Sequence, residues 1–264
     1  KQRIRNPERF ILMFAPITRS YSSSFTEATA ADKKLPPYRR NRLQFPTDPG
    51  ANLAFLKAWR SQFPGDGFDF DYHLMWDHYK DPAQYATARV LHKDLQGLGR
   101  IGLNGFMSCQ VQRVFFPTGL TMTVMGRTLW NRRLSLEAIA SDYFAAAFGQ
   151  GGGFVLDHLK TLSRLFAPPV LRGEASGEQV KAAIRGWRRI PKVVAGAQEM
   201  IQAGLQCPDP CHAHSWHLLQ QFGELACLLS AALVAKHTGT REQAEAAARE
   251  VVRWARAQER AIHH

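Results

Sequence analysis

A chain of 264 residues, 45% hydrophobic and 21% charged, has the composition of a soluble globular protein with room for one large domain or two small ones. The net charge of +12 invites nucleic acid, but the basic residues are scattered, and Arg249, Arg253, Arg256 and Arg260 alternate with Glu245, Glu250 and Glu259 as on a solvated helix face. No apolar stretch reaches the roughly 18 residues of a bilayer span, and four cysteines do not make a disulfide framework, so a transmembrane helix and a disulfide scaffold are not expected, and charge alone does not carry a nucleic-acid function.

The first residues, from Lys1 to Pro7, are basic and polar, with no initiator methionine and no secretory signal. The compartment stays open, secretion or a periplasmic location included. An apolar run from Phe10 to Tyr21 then reads as a first strand. Residues 30–50 are rich in proline and charge and too long for an ordinary strand-to-helix connection, so they read as a binding loop or as a decoration. A helix is expected from about Asn52 to Phe63, with Leu53, Leu56 and Trp59 at helical spacing. A second strand covers Phe68 to Trp76. Asp81 and Pro82 read as the start of a helix that ends near Gly97 and Gly99. A third strand runs from Arg100 to Cys109, followed by a helix from Thr118 to Trp130. Strands alternating with helices imply a parallel sheet with its chemistry at the strands' carboxyl ends, but three strands cannot close a barrel. The chain reads as the later part of something larger.

From Ser135 the pattern is helical almost to the end. Ser135 to Gly149 has an N-cap and a C-cap glycine, and a further helix runs from Gly151 to Phe166. Three longer helices are expected at about 177–205, 212–236 and 241–262, with Pro191 interrupting the first. Trp216, Leu219, Phe222, Ala226, Leu229 and Leu233 form one apolar stripe suited to a bundle. The fold class is therefore α/β and mostly helical, a partial barrel followed by an α-helical bundle. Its boundary falls in the stretch 168–176, giving a barrel part at 1–168 and a helical domain at 169–264.

The second strand alternates strictly. Asp69, Asp71 and His73 share one face, while Phe68, Phe70, Tyr72 and Leu74 share the other. In a barrel strand the apolar face is expected under the helices and the acidic one toward the interior, so Asp71 and His73 approach the mouth. A carboxylate there serves as acid, base or ligand for hydroxyl groups, or is simply a hydrogen-bonded structural group. Arg19 and Tyr21 share a face at the end of the first strand, a planar donor fork beside a stacking ring, or a salt bridge holding the long loop. Asn104 shares its face with Gly102 and Ser108, and Trp76 and Tyr79 follow the second strand as a floor for a sugar. Trp59 and Trp130, on helices, are assigned to the core, as are Cys109 and Cys227. Cys207, Cys211, His212, His214 and His217 could bind zinc, or the two cysteines could form a local disulfide, but the spacing fits no familiar zinc site, and an interhelical turn explains them better. No metal or cofactor is expected. Phosphate-loop, dinucleotide and nucleophile-elbow motifs are missing from the sequence.

Phe14 through Tyr21, Asn52 through Trp59, Phe70 through His73, Asp94 with Gly99 and Gly102, Leu129 through Asn131, Leu136 through Tyr143 and Phe148 with Gly149 together carry a resemblance. In their order and spacing the chain resembles a large bacterial family of glycoside-hydrolase-like barrel proteins with a helical carboxyl-terminal domain of unknown function. The match covers about residues 10–166; the terminal helices match in pattern only. The resemblance implies that the strands are the last ones of a TIM-type barrel, distantly akin to glucuronidases and hexosaminidases. It implies carbohydrate as substrate, with Arg19, Tyr21, Asp71 and Tyr72 facing it, and glycoside hydrolysis in the full-length protein. In such relatives the main catalytic acid comes from earlier strands. Asp71 is then the catalytic candidate here, as second carboxylate or sugar-orienting group, and Arg19, Tyr21, Tyr72, His73, Trp76 and Asn104 are the substrate-binding candidates. Tyr72 conflicts with strand parity, which points it toward the helices. Asp69 and Asp71 lie about 6.5–7 Å apart along the strand, but Asp69 sits too deep to serve as a partner. The rival function is a noncatalytic carbohydrate-binding scaffold, or, behind it, an interaction or nucleic-acid-binding protein working through the basic helices. The open edge of the first strand needs cover from a missing barrel half or a second copy of the chain.

Overall fold

The computed structural model describes residues 4–28, 35–37, 39–42, 44–111 and 114–263. Three parallel strands, β1 (Leu12–Phe14), β2 (Gly67–Leu74) and β3 (Gly105–Gln110), lie in the order β1-β2-β3. Leu12 pairs with Gly67, Phe14 with Asp69, Phe68 with Gly105 and Asp71 with Ser108, and the register shifts between Asp71 and Leu74. Helices α1 (Pro49–Arg60) and α2 (Tyr85–Gly97) make the two crossovers. Asp48 caps α1 by accepting from the Ala51 N–H at 2.7 Å, with Pro49 at the first helical position. Asp81 does not cap α2 from the adjoining position. The chain makes an extra turn through Gln84, whose φ is 64°, and the Asp81 carboxylate reaches the Thr87 N–H at 2.9 Å and the Ser163 hydroxyl at 2.7 Å.

Leu12, Phe14 and Phe106 pack on Leu53 and Leu56 of α1 and on Leu91, Leu95 and Leu98 at the end of α2. Residues in register share a face, so the helices cover the face that carries Phe14, Asp69, Asp71 and Phe106. This reverses the orientation expected for β2. Asp69, Asp71 and His73 are buried under the helices. Phe68, Phe70 and Tyr72 lie half-buried on the other face, beside Met13 and Met107, which are 54% and 50% exposed.

The rest is helical: α3 (Leu120–Trp130), α4 (Leu136–Phe148), α5 (Gly152–Phe166), α6 (Pro168–Leu171), α7 (Glu178–Trp187), α8 (Ile190–Gly196), α9 (Gln198–Leu205), α10 (Pro210–Thr238) and α11 (Arg241–His263). The expected helix at 177–205 is three helices. Its first break comes before Pro191, which cannot supply the N–H that a continuous helix needs and sits near the start of α8 instead. The Ser135 cap and the Gly149 terminus, at φ 60°, lie where the sequence puts them. Gly151 and Gly204 make room for the Trp216 indole, since a methyl group at either would lie 2.4 or 2.1 Å from ring atoms. One apolar core runs from Ala83 and Ala88 through Phe144, Leu159 and Phe166 to Trp187, Ile190 and Phe222, crossing the boundary expected at 168/169. α10 is long and apolar enough to cross a membrane; here Trp216, Leu219, Phe222 and Ala226 bury its stripe in that core. Trp59 and Trp130 are not core. They are 57% and 93% exposed.

Candidate functional site

Four of the sequence candidates meet at the carboxyl end of β2, on its helix side. Arg19 leaves β1 in a turn, held by its N–H to the Pro16 carbonyl, and its guanidinium lies between the rings of Tyr21 and Phe25, 4.5 and 3.9 Å from their centroids. Its Nη2 donates to Asp94 Oδ2 at 2.6 Å, and both side chains are fully buried. Asp94 Oδ1 accepts from the Phe25 N–H at 2.7 Å, and Oδ2 also takes His73 Nε2 at 3.1 Å. The other ring nitrogen, His73 Nδ1, bonds Asp71 Oδ1, which accepts the His73 backbone N–H at 2.8 Å as well. The Tyr21 ring meets the imidazole edge-on, centroids 4.8 Å apart. Tyr21, Arg19, Asp94 and His73 thus make one closed loop of contacts, with Asp71 attached at His73.

Its charges follow from burial and pairing. Burial pushes the Asp94 carboxyl up, but the Arg19 charge and the bonds from His73 and Arg19 outweigh it and hold Asp94 down to about 2. Burial disfavours charge on His73 too, yet Asp71 beside it and the bond to Asp94 lift the imidazole to about 9. Near neutrality the pair is carboxylate and imidazolium, and neither exchanges a proton readily. The Tyr21 phenol is raised by burial and by the Asp71 charge. Proton transfer is poorly served by this cluster; rigid positioning is well served.

Asp69 lies one pleat deeper, in register with Phe14 and Phe106, and neither carboxyl oxygen has a hydrogen-bond partner. Burial, with the Asp71 charge second, pushes its carboxyl well above the usual range. An acid raised in the folded state stabilises below its ordinary value of 3.8 and loses that contribution as pH rises. Asp69→Asn removes the ionisable group and is therefore expected to stabilise the fold at pH 7. Urea unfolding at pH 7 and pH 4 checks it: the gain must shrink at the lower pH, and a destabilised variant at both would refute the assignment.

The remaining candidates lie elsewhere. Tyr72 is on the uncovered face of β2, its ring 5.2 Å from that of Phe70, so the parity conflict disappears once the two faces are exchanged. Asn104 sits at the opposite, amino end of the sheet, where it bonds the Gly67 carbonyl and the Asp66 carboxylate. It does not join Arg19 and Asp71 in a common bowl. The Trp76 side chain lies outside the described residues, and Tyr79 is exposed.

Two participants were not expected. Asp94 occupies an apolar-stripe position of α2, three residues after Leu91 and four before Leu98, and a charge in such a stripe is the signal that it has a buried partner. Arg172, after α6, donates through Nε to Asp77 Oδ1 at 2.8 Å, with both side chains almost fully buried. That pair ties the turn after β2 to the helical part, and no local pattern announces it. At the α9–α10 turn Asp209 accepts from the Cys211 and His212 N–H groups, and His212 Nε2 donates to the Ala146 carbonyl at 3.0 Å. Among the described residues no group of three or more histidines, cysteines or carboxylates is arranged to hold a metal.

The chain matches no family model, no curated protein and no solved structure. Its site has to be read from its own chemistry.

Proposed function

We propose that this chain is the carboxyl-terminal part of a β/α barrel that binds carbohydrate, with the uncovered face of the sheet as the inner lining. The observation that carries the reading is that, among the described residues, helices cover only one face of a parallel sheet. Such sheets occur with both faces covered, by two helix layers or by helices outside and a closed barrel inside. Phe68, Phe70 and Tyr72, flanked by Met13 and Met107, then point to the barrel axis. Tyr72, nearest the carboxyl end, presents a ring on which the apolar face of a sugar stacks and a hydroxyl that bonds its edge. Asp71 and His73 support β2 from behind, as positioning groups rather than as the reacting acid and base. Reacting carboxylates of a glycosidase would come from other strands of the complete barrel.

Saturation-transfer NMR with a panel of methyl glycosides tests the reading. Irradiating the aromatic protons is expected to transfer signal to one sugar, and Tyr72→Ala to weaken that binding about tenfold or more. A wild-type chain that transfers to no sugar, or a Tyr72→Ala variant equal to wild type, would sink the proposal.

A further inference from the structure

From the edge of β1 that pairs with no described strand, and the groove beside it, we propose that the chain docks an extended, acidic polypeptide strand, which adds to the sheet next to β1. The inference rests on the reading of the sheet as incomplete and names the chemistry of what completes it. Parallel pairing turns both backbone groups of alternate residues to the same neighbour. Leu12 gives its N–H to the Asp66 carbonyl of the β2 side at 2.9 Å. Met13, between Leu12 and Phe14, therefore turns its N–H and C=O to the open edge. The backbone is already extended at Phe10, with φ −125° and ψ 151°, so the edge offers more than the three residues of β1.

Beside this edge lies a groove of about 960 Å³ between β1, α1 and the segment around residues 36–46. Met13, Phe45, Phe55 and Trp59 line it, and Met13, Phe45 and Trp59 are more than half exposed there. An edge with free backbone groups, flanked by apolar surface, is what strand addition requires: the main chain gives affinity and alternate side chains give specificity. Arg39 and Arg42 are exposed in the same groove, and no carboxylate is among its described lining residues. The occupant is thus apolar on one side and carboxylate-bearing on the other. A second copy of the chain fits poorly, because edge-to-edge pairing would set Arg39 and Arg42 of each copy near the other, in molecules that each carry +12.

The test uses the whole chain and a fluorescent, end-blocked heptapeptide of alternating valine and glutamate, followed by anisotropy. A lysine-for-glutamate peptide and decanoate serve as controls, and light scattering reports self-association. Expected is saturable binding of the glutamate peptide that weakens with salt. Met13→Pro removes the N–H that points off the edge together with a side chain lining the groove, and leaves the pairing of Leu12 and Phe14 with β2 in place, so the fold survives while binding falls about tenfold or more. Arg39→Glu with Arg42→Glu, at exposed positions, reverses the preference toward the lysine peptide; this pair decides the matter if Met13→Pro does not fold. No saturable binding, equal affinity for both peptides, displacement by decanoate as effective as by unlabelled peptide, or an edge-dependent dimer sensitive to Met13→Pro would each overturn the proposal. Sugar transfer at Tyr72 is read on the same samples, so failure of the strand site leaves the carbohydrate reading to stand or fall by itself.

Discussion

Asp94→Asn is expected to lower folding stability by about 3–5 kcal/mol at pH 7, because it leaves two buried cations, Arg19 and His73, without the carboxylate they share. The amide keeps the shape and can still accept from the Phe25 N–H, so the loss reports charge rather than packing. The pH profile separates this from a general weakening. Asp94 is depressed to about 2 in the fold, so its contribution is present above its ordinary 3.8 and is lost as pH falls through about 2. His73 is raised to about 9, so its contribution is complete below 6.5 and is lost as pH rises through about 9. His158, lowered to about 4 by burial, adds a separate loss as pH falls from 6.5 through about 4. In urea titrations from pH 2 to 10 the wild type should show all three limbs. Asp94→Asn should keep the His158 limb and lose the one between 3.8 and 2. A variant with the wild-type acid limb intact would mean that Asp94 is not held by Arg19 and His73.

The sequence reads most clearly where local chemistry decides. Strict alternation in β2, the Ser135 cap, the Gly149 terminus and the apolar stripe of α10 each come from a period or a cap that neighbouring residues set. It misleads where a long-range partner decides. Alternation puts Asp69, Asp71 and His73 away from the helices, because the apolar face of a barrel strand is expected beneath them. Two residues 75 positions apart reverse that: Arg19 brings a buried cation beside that face, and Asp94 bonds both Arg19 and the far nitrogen of His73. The exposed positions of Trp59 and Trp130 have a related origin: helical spacing identifies a stripe but not which partner covers it, and the described residues around α1 and α3 cover neither ring. Asn104 failed for a different reason. A strand read as starting at Arg100 begins at Gly105, after a 3-10 turn at Leu98–Ile101, so the residue expected toward the carboxyl end precedes the strand. Face sharing is legible from parity, but position along a strand depends on where pairing begins.

Trp187→Ala tests whether the two halves read from the sequence unfold as one. The indole is wholly buried, its Nε1 donates to the Phe166 carbonyl at 3.0 Å, and its ring lies 5.2 Å from His237. It therefore joins α7 to α5 on one side and α10 on the other, across the boundary expected at 168/169. Truncating a buried tryptophan costs about 3–5 kcal/mol, and the orphaned carbonyl adds to that. For a chain of this size the loss corresponds to a fall in melting temperature of roughly 6–20 °C. Since the same core holds Ala83 and Leu120 as well as Phe222, near-ultraviolet ellipticity and hydrogen exchange in α2 and α3 should report the same lowered transition as those in α7 to α10. If exchange in α2 and α3 kept its wild-type protection while α7 to α10 opened, the shared core would be two cores in contact. A single lowered transition would make the helical part a structural extension of the sheet layer, fixed to it by Trp187 within and by the Arg172–Asp77 pair near the end of β2.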